Sequence, residues 1–413
     1  MNENLKRALL LSAFAHLALE LSNNYLPVIY PLLIDTMDLS FAQIGVVAFV
    51  AGFGGSLLQP LFGYLSDRWG PIALTALSVT WTGLVMGLVG LTENYWLLVL
   101  LAGLGGLGSA AFHPPGSVIA SVSGQGRRRG AAVSIFSVGG NIGSALSPLL
   151  VGLGLSWFGL SGTVVLIPVA LVSGLFLFVQ LRRYYVPSQP ITTTIPTDRP
   201  ETDTQPAQKQ AARLAKRGSM FGFILVVVVV MARSWFEMSF KTYLPIWLES
   251  QGWSLEAAGR SFVVLLVAVS VGSLGGGALS DRIGRWQVIG LSTLVLAISH
   301  WLFVASSGFS QVVFVSLSGV MVGATFPVSI VLAHEMWPQR AGMASALVMG
   351  IGWLPGGIGA AVTGRLADQY SLTLGLQMLV LAPLVGLICI GLYAVFQRYM
   401  RQKMPLDRPV ASG

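Results

Sequence analysis

Apolar residues run in long blocks along this chain, and polar residues are confined to short breaks between them. An α-helix needs roughly 20 predominantly apolar residues to cross the hydrocarbon core of a bilayer. Read with that length, the blocks predict spanning helices over residues 8–34, 41–65, 72–92, 95–122, 130–155 and 162–183. Six more are predicted over 219–248, 256–279, 286–305, 309–334, 341–365 and 372–398. Between the two sets, residues 184–217 carry Pro187, Pro190, Pro196, Pro200 and Pro206 among Thr, Gln and charged side chains. That composition predicts a polar linker ending in a basic, helix-compatible stretch at 209–217. The expected fold class is therefore an all-α polytopic membrane protein of twelve transmembrane helices. It divides into a first half (1–183), a cytoplasmic linker (184–217), a second half (218–400) and a tail (401–413). The first block is longer than a signal-peptide core and lacks a small-residue cleavage site, so it is expected to remain as the first helix.

The second set of blocks echoes the first at a shift of 214 residues. Gly63-Tyr64-Leu65-Ser66-Asp67-Arg68-Trp69-Gly70 recurs as Gly277-Ala278-Leu279-Ser280-Asp281-Arg282-Ile283-Gly284, Tyr30-Pro31 as Leu244-Pro245, and Phe112 as Phe326. The halves thus read as parallel repeats.

Charge adds topology to this picture. Charged residues make up 10% of the chain, against about 25% in a soluble domain, so a water-facing globule is excluded. Basic residues exceed acidic ones by eight. With the amino terminus in the cytoplasm, nearly all of them fall on inside loops and tails, among them Lys6, Arg7, Arg68, Arg182, Arg183, Arg282, Arg285, Arg340 and Arg398. Asp35, Asp38, Glu93 and Glu249 fall outside. The positive-inside rule then predicts both termini on the cytoplasmic side of an inner (plasma) membrane, and it explains the excess without a nucleic-acid partner. A single cysteine, Cys389, precludes an intrachain disulfide or a thiolate metal site.

The Gly-x-Leu-Ser-Asp-Arg-x-Gly segment, present in both halves, resembles the signature loop of the major facilitator superfamily. Narrower matches are Ser56-Leu57-Leu58-Gln59-Pro60, Phe112-His113-Pro114, residues 134–144 (Ser-Ile-Phe-Ser-Val-Gly-Gly-Asn-Ile-Gly-Ser) and residues 334–343 (His-Glu-Met-Trp-Pro-Gln-Arg-Ala-Gly-Met). Together they resemble the fosmidomycin resistance protein family, proton-driven bacterial exporters. The resemblance implies two six-helix halves about a central site near mid-membrane, with Asp67/Arg68 and Asp281/Arg282 in cytoplasmic gates. It also aligns His16 and Glu20 with the family's His-x-x-Asn-Asp pattern. The family's Glu after Phe-His-Pro and its Arg three residues later are replaced here by Pro115 and Val118.

An ionisable side chain at membrane depth costs about 2.5–3.5 kcal/mol on insertion scales, so the few present are informative. They are His16 and Glu20, His113, then Arg233, Glu237 and Lys241, with His300 nearer a helix end. In the fold the resemblance implies, all but His300 lie on cavity-lining helices. Proton coupling is therefore expected at Glu20, His113 and Glu237. Two readings are open for Glu20: proton carrier, or fixed counter-ion of Arg233 across the cavity. Two are open for His113: a titrating group, or a ring that satisfies carbonyls freed by Pro114 and Pro115. His16 reads as a packing or hydrogen-bonding residue, and His300 as structural. Arg233, Glu237 and Lys241 share one helix face at four-residue spacing. They read either as a self-satisfied ladder or as cations that receive an anionic substrate when a carboxylate is protonated.

Asn24, Tyr25, Gln59, Asn141, Trp235 and Trp353 are the neutral candidates for substrate contact. Glycine runs such as 103–108 and 139–143 lie inside apolar blocks and read as close helix packing, not nucleotide loops. No phosphate loop, His-Glu-x-x-His or Gly-x-Ser-x-Gly occurs, so neither ATP hydrolysis nor a recognisable hydrolase is encoded. The acids and histidines form no recognisable ligand set in the sequence, and neither metal nor cofactor is expected. The expectation is a monomeric, proton-coupled secondary transporter in the lipid bilayer that exports a small drug-like or anionic metabolite. An uptake symporter of an organic anion and a non-transporting membrane receptor are the alternatives.

Overall fold

The computed structural model describes residues 3–124, 129–185, 206–337, 344, 347–348, 352 and 354–403. Its elements are all helical. The first half contains α1 (Glu3–Asn23), α2 (Leu26–Met37), α3 (Phe41–Leu57), α4 (Gln59–Trp69), α5 (Pro71–Gly87), α6 (Tyr95–Gly124), α7 (Arg129–Phe158) and α8 (Leu166–Tyr184). The second contains α9 (Pro206–Ser250), α10 (Leu255–Ile283), α11 (Arg285–Ala305), α12 (Phe309–Met336), α13 (Leu354–Gln369), α14 (Leu372–Met378) and α15 (Leu381–Lys403). Among the described residues, nine helical stretches are long and apolar enough to cross a membrane.

Four expected elements differ in detail: the block at 372–398 is divided into α14 and α15 at Leu379 and Val380, and the other three differ for a reason visible in the chain. The block at 8–34 is broken into α1 and α2 at Asn24 and Tyr25, because Pro27 has no N–H to offer the carbonyl four residues back and is tolerated only in the first turn of a new helix. Pro60 splits the block at 41–65 in the same way, and the Gln59 side chain donates to the carbonyl of Gly55 across the break (2.9 Å). The helix expected from 219 begins earlier, at Pro206, so α9 enters the segment read as linker. Proline suits a first helical position, and the Ala, Gln, Lys, Arg and Leu that follow are strong helix formers. In the block at 341–365 only 344, 347–348, 352 and 354 onward are described, so Trp353 lies outside the described residues.

The repeat is visible in backbone geometry. The final glycine of each signature segment, Gly70 and Gly284, sits at positive φ (82° and 102°) and closes its helix through a hydrogen bond to Ser66 or Ser280 (2.9 and 3.1 Å). A side chain is strained at such a φ, which accounts for glycine at both places.

Apolar packing is distributed unevenly along the bundle. At the end carrying the chain termini each half has its own core, around Leu9, Leu19, Phe112 and Phe136 in one and Phe223, Val226, Ile289 and Leu332 in the other. At the opposite end one core joins both halves through Tyr25, Tyr30, Phe236, Phe240, Tyr243 and Trp247. Hydrogen bonds reinforce that joint. Asp368 of α13 accepts from the N–H groups of Phe41 and Ala42 at the start of α3 (2.8 and 2.9 Å), and the Tyr243 hydroxyl reaches the carbonyls of Phe41 and Ala360 (2.9 and 2.8 Å). The halves are fastened at the end away from the termini.

Candidate functional site

Helix α1 carries His16 and Glu20 one turn apart, and their exposure to the neighbouring helix is made possible by glycine. A β-carbon on Gly139 or Gly143 of α7 would lie 2.1 or 2.2 Å from the carbonyls of Ala13 or Leu17, so α7 packs backbone-to-backbone on α1. Gly140 leaves room for the His16 ring, and Ser144 places its hydroxyl 3.4 Å from Glu20 Oε2. The glycine run read as packing in the sequence thus builds one wall of a polar cluster.

Within that cluster Glu20 Oε1 lies 3.7 Å from His16 Nε2 and 3.8 Å from His113 Nε2 of α6. Its other oxygen, Oε2, accepts from the Asn24 amide. His16 is held by a contact between Nδ1 and the carbonyl of Phe136 (2.9 Å) and by stacking on the Phe136 ring, with centroids 4.2 Å apart. Ser109, one turn before His113, puts its hydroxyl 3.2 Å from His113 Nε2. The His113 ring therefore addresses Ser109 and Glu20 rather than the carbonyls freed by Pro114 and Pro115. Exposure rises across the cluster, from 13% for the His16 and Glu20 side chains to 32% for His113.

The second charged cluster lies on α9. Glu237 binds Arg233 Nη2 at 2.5 Å and Lys241 Nζ at 2.6 Å. Arg233 also donates from Nε to the carbonyl of Val322 (3.0 Å) and lies over the Phe326 ring at 4.8 Å, both on α12. The four-residue spacing is realised as a ladder within one helix. The pairing of Glu20 with Arg233 across the halves is not formed: a neighbour one turn away satisfies Glu237 and Arg233 without any closure of the bundle, and Glu20 is satisfied within its own half. Arg233 borders a cavity of about 10 Å³ between Thr293, Thr325 and Phe236, room for about one water. Lys241 is the more exposed cation, at 23% against 5%.

The neutral candidates separate into two groups. Asn24 belongs to the Glu20 cluster, and Asn141 is half-buried one turn before Ser144. Tyr25 is fully buried with its hydroxyl on the carbonyl of Met86, Gln59 bridges the α3–α4 break, and the Trp235 indole packs on Gly359 and donates to Thr363. Tyr25 is thereby enclosed, whereas Gln59 and Trp235 are bonded to protein groups but remain half-buried. His300 is buried among Phe236, Phe240 and Phe303 on the carbonyl of Leu376, the structural placement expected.

At the ends of the signature segments, Arg68 is exposed over the Tyr64 ring, and the Asp67 side chain lies outside the described residues. In the second half Asp281 pairs with Arg285, not with the neighbouring Arg282, which is exposed. Arg285 also reaches Ser280 (2.7 Å) and Glu335 (3.2 Å), tying α10, α11 and α12. Arg285 and Glu335 are thus functional candidates that the motif alone did not indicate. The signal for Arg285 is its i, i+4 spacing from Asp281 across Gly284, whereas Glu335 is brought in only by packing.

The family model described as Major Facilitator Superfamily matches residues 12–359 and 261–411. The chain belongs to the major facilitator superfamily. It is 31% identical to the fosmidomycin resistance protein of Escherichia coli over 92% of this chain and 91% of that protein. It is also 28% identical to a probable nitrate/nitrite transporter, NarK2, of Mycobacterium tuberculosis over 87% of this chain and 89% of the relative. Among solved structures, a bacterial homolog of the human lysosomal transporter Spinster, in an inward-facing and unoccupied conformation, matches with a TM-score of 0.73 at 16% identity, covering 99% and 100% of the two chains. The protein is accordingly a multi-pass membrane transporter of this superfamily and not an enzyme.

Proposed function

We propose that this transporter exports a small drug-like or anionic molecule from the cytoplasm in exchange for protons, by alternating access, with Glu20 as the proton carrier. The observation that supports this best is the setting of Glu20: a largely buried carboxylate, on a helix expected to span the membrane, between two imidazoles on α1 and α6, with Asn24 and Ser144 on its other oxygen. A negative charge at that depth is expensive and a proton removes it. His113, the most exposed of the three, is placed by geometry to pass a proton to or from Glu20.

The α9 ladder supplies the complementary charge. One carboxylate between two cations leaves a formal +1, and Lys241 is its accessible face. Protonation of Glu237 would release a cation to an anionic substrate. Arg233, gripped by Glu237, Val322 and Phe326, would keep the ladder in place. Asn24, Asn141, Gln59 and Trp235 are the half-buried neutral candidates for substrate contact, and the Tyr25 side chain is fully buried behind them.

With both termini in the cytoplasm of the inner membrane, as the charge distribution favours, the fastened end is the outer one. The bundle would then stand open to the cytoplasm, the side from which an exported solute enters. Asp67, Arg68 and the Asp281–Arg285–Glu335 set would close that side. Export is supported by similarity to a protein named for drug resistance. Proton-driven uptake of an anion is the second reading, favoured by the net positive ladder and by similarity to NarK2.

The test is accumulation of fosmidomycin and a panel of organic anions in inside-out vesicles with an acid interior. Accumulation that requires the pH gradient and is abolished in Glu20→Gln supports antiport. Accumulation indifferent to the gradient removes proton coupling, and solute expelled from preloaded vesicles along with protons supports the symport reading.

A further inference from the structure

The chain contains four histidines, and two of them meet a single carboxylate. The Nε2 atoms of His16 and His113 lie 3.7 and 3.8 Å from Glu20 Oε1, and one ligand-type atom from each of the three residues falls within 4.8 Å of the others. Nitrogen and oxygen ligands at about 2.1 Å from a tetrahedral Zn²⁺ stand roughly 3.4 Å apart. Both histidine–carboxylate separations exceed that by a few tenths of an ångström, and no two of the three ligand atoms are more than 4.8 Å apart, so binding draws the three side chains closer together.

The surroundings prepare these atoms for a metal. With His16 Nδ1 donating to the carbonyl of Phe136, Nε2 is left unprotonated, with its lone pair toward Glu20. A histidine whose second nitrogen is anchored in this way is the usual form of a metal-ligating imidazole. Asn24 and Ser144 steady Glu20 through its other oxygen, leaving Oε1 toward the two rings. The His113 side chain, 32% exposed, gives the cluster an entry path.

We propose that His16, Glu20 and His113 bind a divalent transition-metal ion, Zn²⁺ foremost, with the fourth position left to water or to a donor atom of a transported solute. Two imidazoles and one carboxylate suit Zn²⁺, Co²⁺, Ni²⁺ or Cu²⁺; Mg²⁺ and Ca²⁺ take oxygen ligands. The bound ion would pin α1 to α6. It would also occupy the carboxylate assigned to proton carriage, so that metal inhibits export. That last consequence rests on the proposed function, whereas the site itself does not.

The experiment uses the purified full-length protein in lipid nanodiscs, titrated with Zn²⁺ by calorimetry and with Co²⁺ by visible absorption. The expected result is one more equivalent of metal per chain than His16→Gln/His113→Gln binds, with the d–d bands of four-coordinate Co²⁺ bleached by Zn²⁺. Single His113→Gln and Glu20→Gln variants should each weaken binding at least tenfold, and His334→Gln should leave it unchanged. Elution and melting profiles identify variants that fail to fold, and the wild-type Co²⁺ spectrum needs no variant. Equal binding by wild type and the double variant, or an octahedral Co²⁺ spectrum, would overturn the site. Tight binding together with Glu20→Gln vesicles that still exchange protons would leave the site standing and sink the proton role of Glu20.

Discussion

Replacing Asp368 by alanine should loosen the joint between the halves. Helix α3 begins with four N–H groups that its own turn cannot satisfy. The Ser40 hydroxyl takes the N–H of Gln43, the Gln43 side chain returns the bond to the N–H of Ser40, and the Ser40 carbonyl takes the N–H of Ile44. This capping box leaves Phe41 and Ala42, and Asp368 of the opposite half accepts from both. Loss of a capping carboxylate costs about 0.5–2 kcal/mol. Asp368 is exposed, so water replaces part of what is lost and the lower half of that range is the better guide. The full range corresponds to roughly a 2- to 30-fold shift in the ratio of fastened to unfastened states. Spin labels at Asp35→Cys and Gln369→Cys, in a Cys389→Ser background, report that ratio by double electron–electron resonance. Asp368→Ala should raise the long-distance population by a factor in that range, and Asp368→Asn, which keeps one acceptor oxygen, by less. An unchanged distance distribution in Asp368→Ala would refute the reasoning.

Three further substitutions probe the interior. Glu237→Gln strands Arg233 and Lys241 around a neutral side chain, and breaking a buried pair costs about 3–5 kcal/mol; a clear fall in the melting temperature of purified protein is expected, and an unchanged melt would contradict the ladder. Gly143→Val would drive a side chain into the Leu17 carbonyl, forcing α7 from α1, so the folded yield by size-exclusion chromatography should collapse, whereas the same change at Gly152, where a β-carbon meets nothing within 4 Å, should be tolerated.

Much of the architecture is legible in the sequence because lipid imposes length and apolarity on each helix, and because a duplicated signature segment marks the repeat. The breaks beside Pro27 and Pro60 escape a length-based reading, since a proline in the first turn of a new helix and one inside a long helix look alike until backbone geometry is known. Pairing between helices is harder still. His16 and Glu20 are neighbours by spacing, yet His113 reaches them only through the packing of α6 on α1. The alternative pairing of Glu20 with Arg233 is not formed, because each charge is engaged by a partner one turn away without moving two halves. Arg285 was counted as a topological charge, although Asp281 four residues earlier marks it as a partner.

The central claim is tested most directly by proton movement tied to solute movement. Proteoliposomes containing a pH dye, with no initial gradient, would receive fosmidomycin outside while solute entry is followed in parallel. Exchange through Glu20 predicts that the lumen turns alkaline as solute enters, in wild type and not in Glu20→Gln. Solute entry by the wild type with a constant luminal pH would contradict the account.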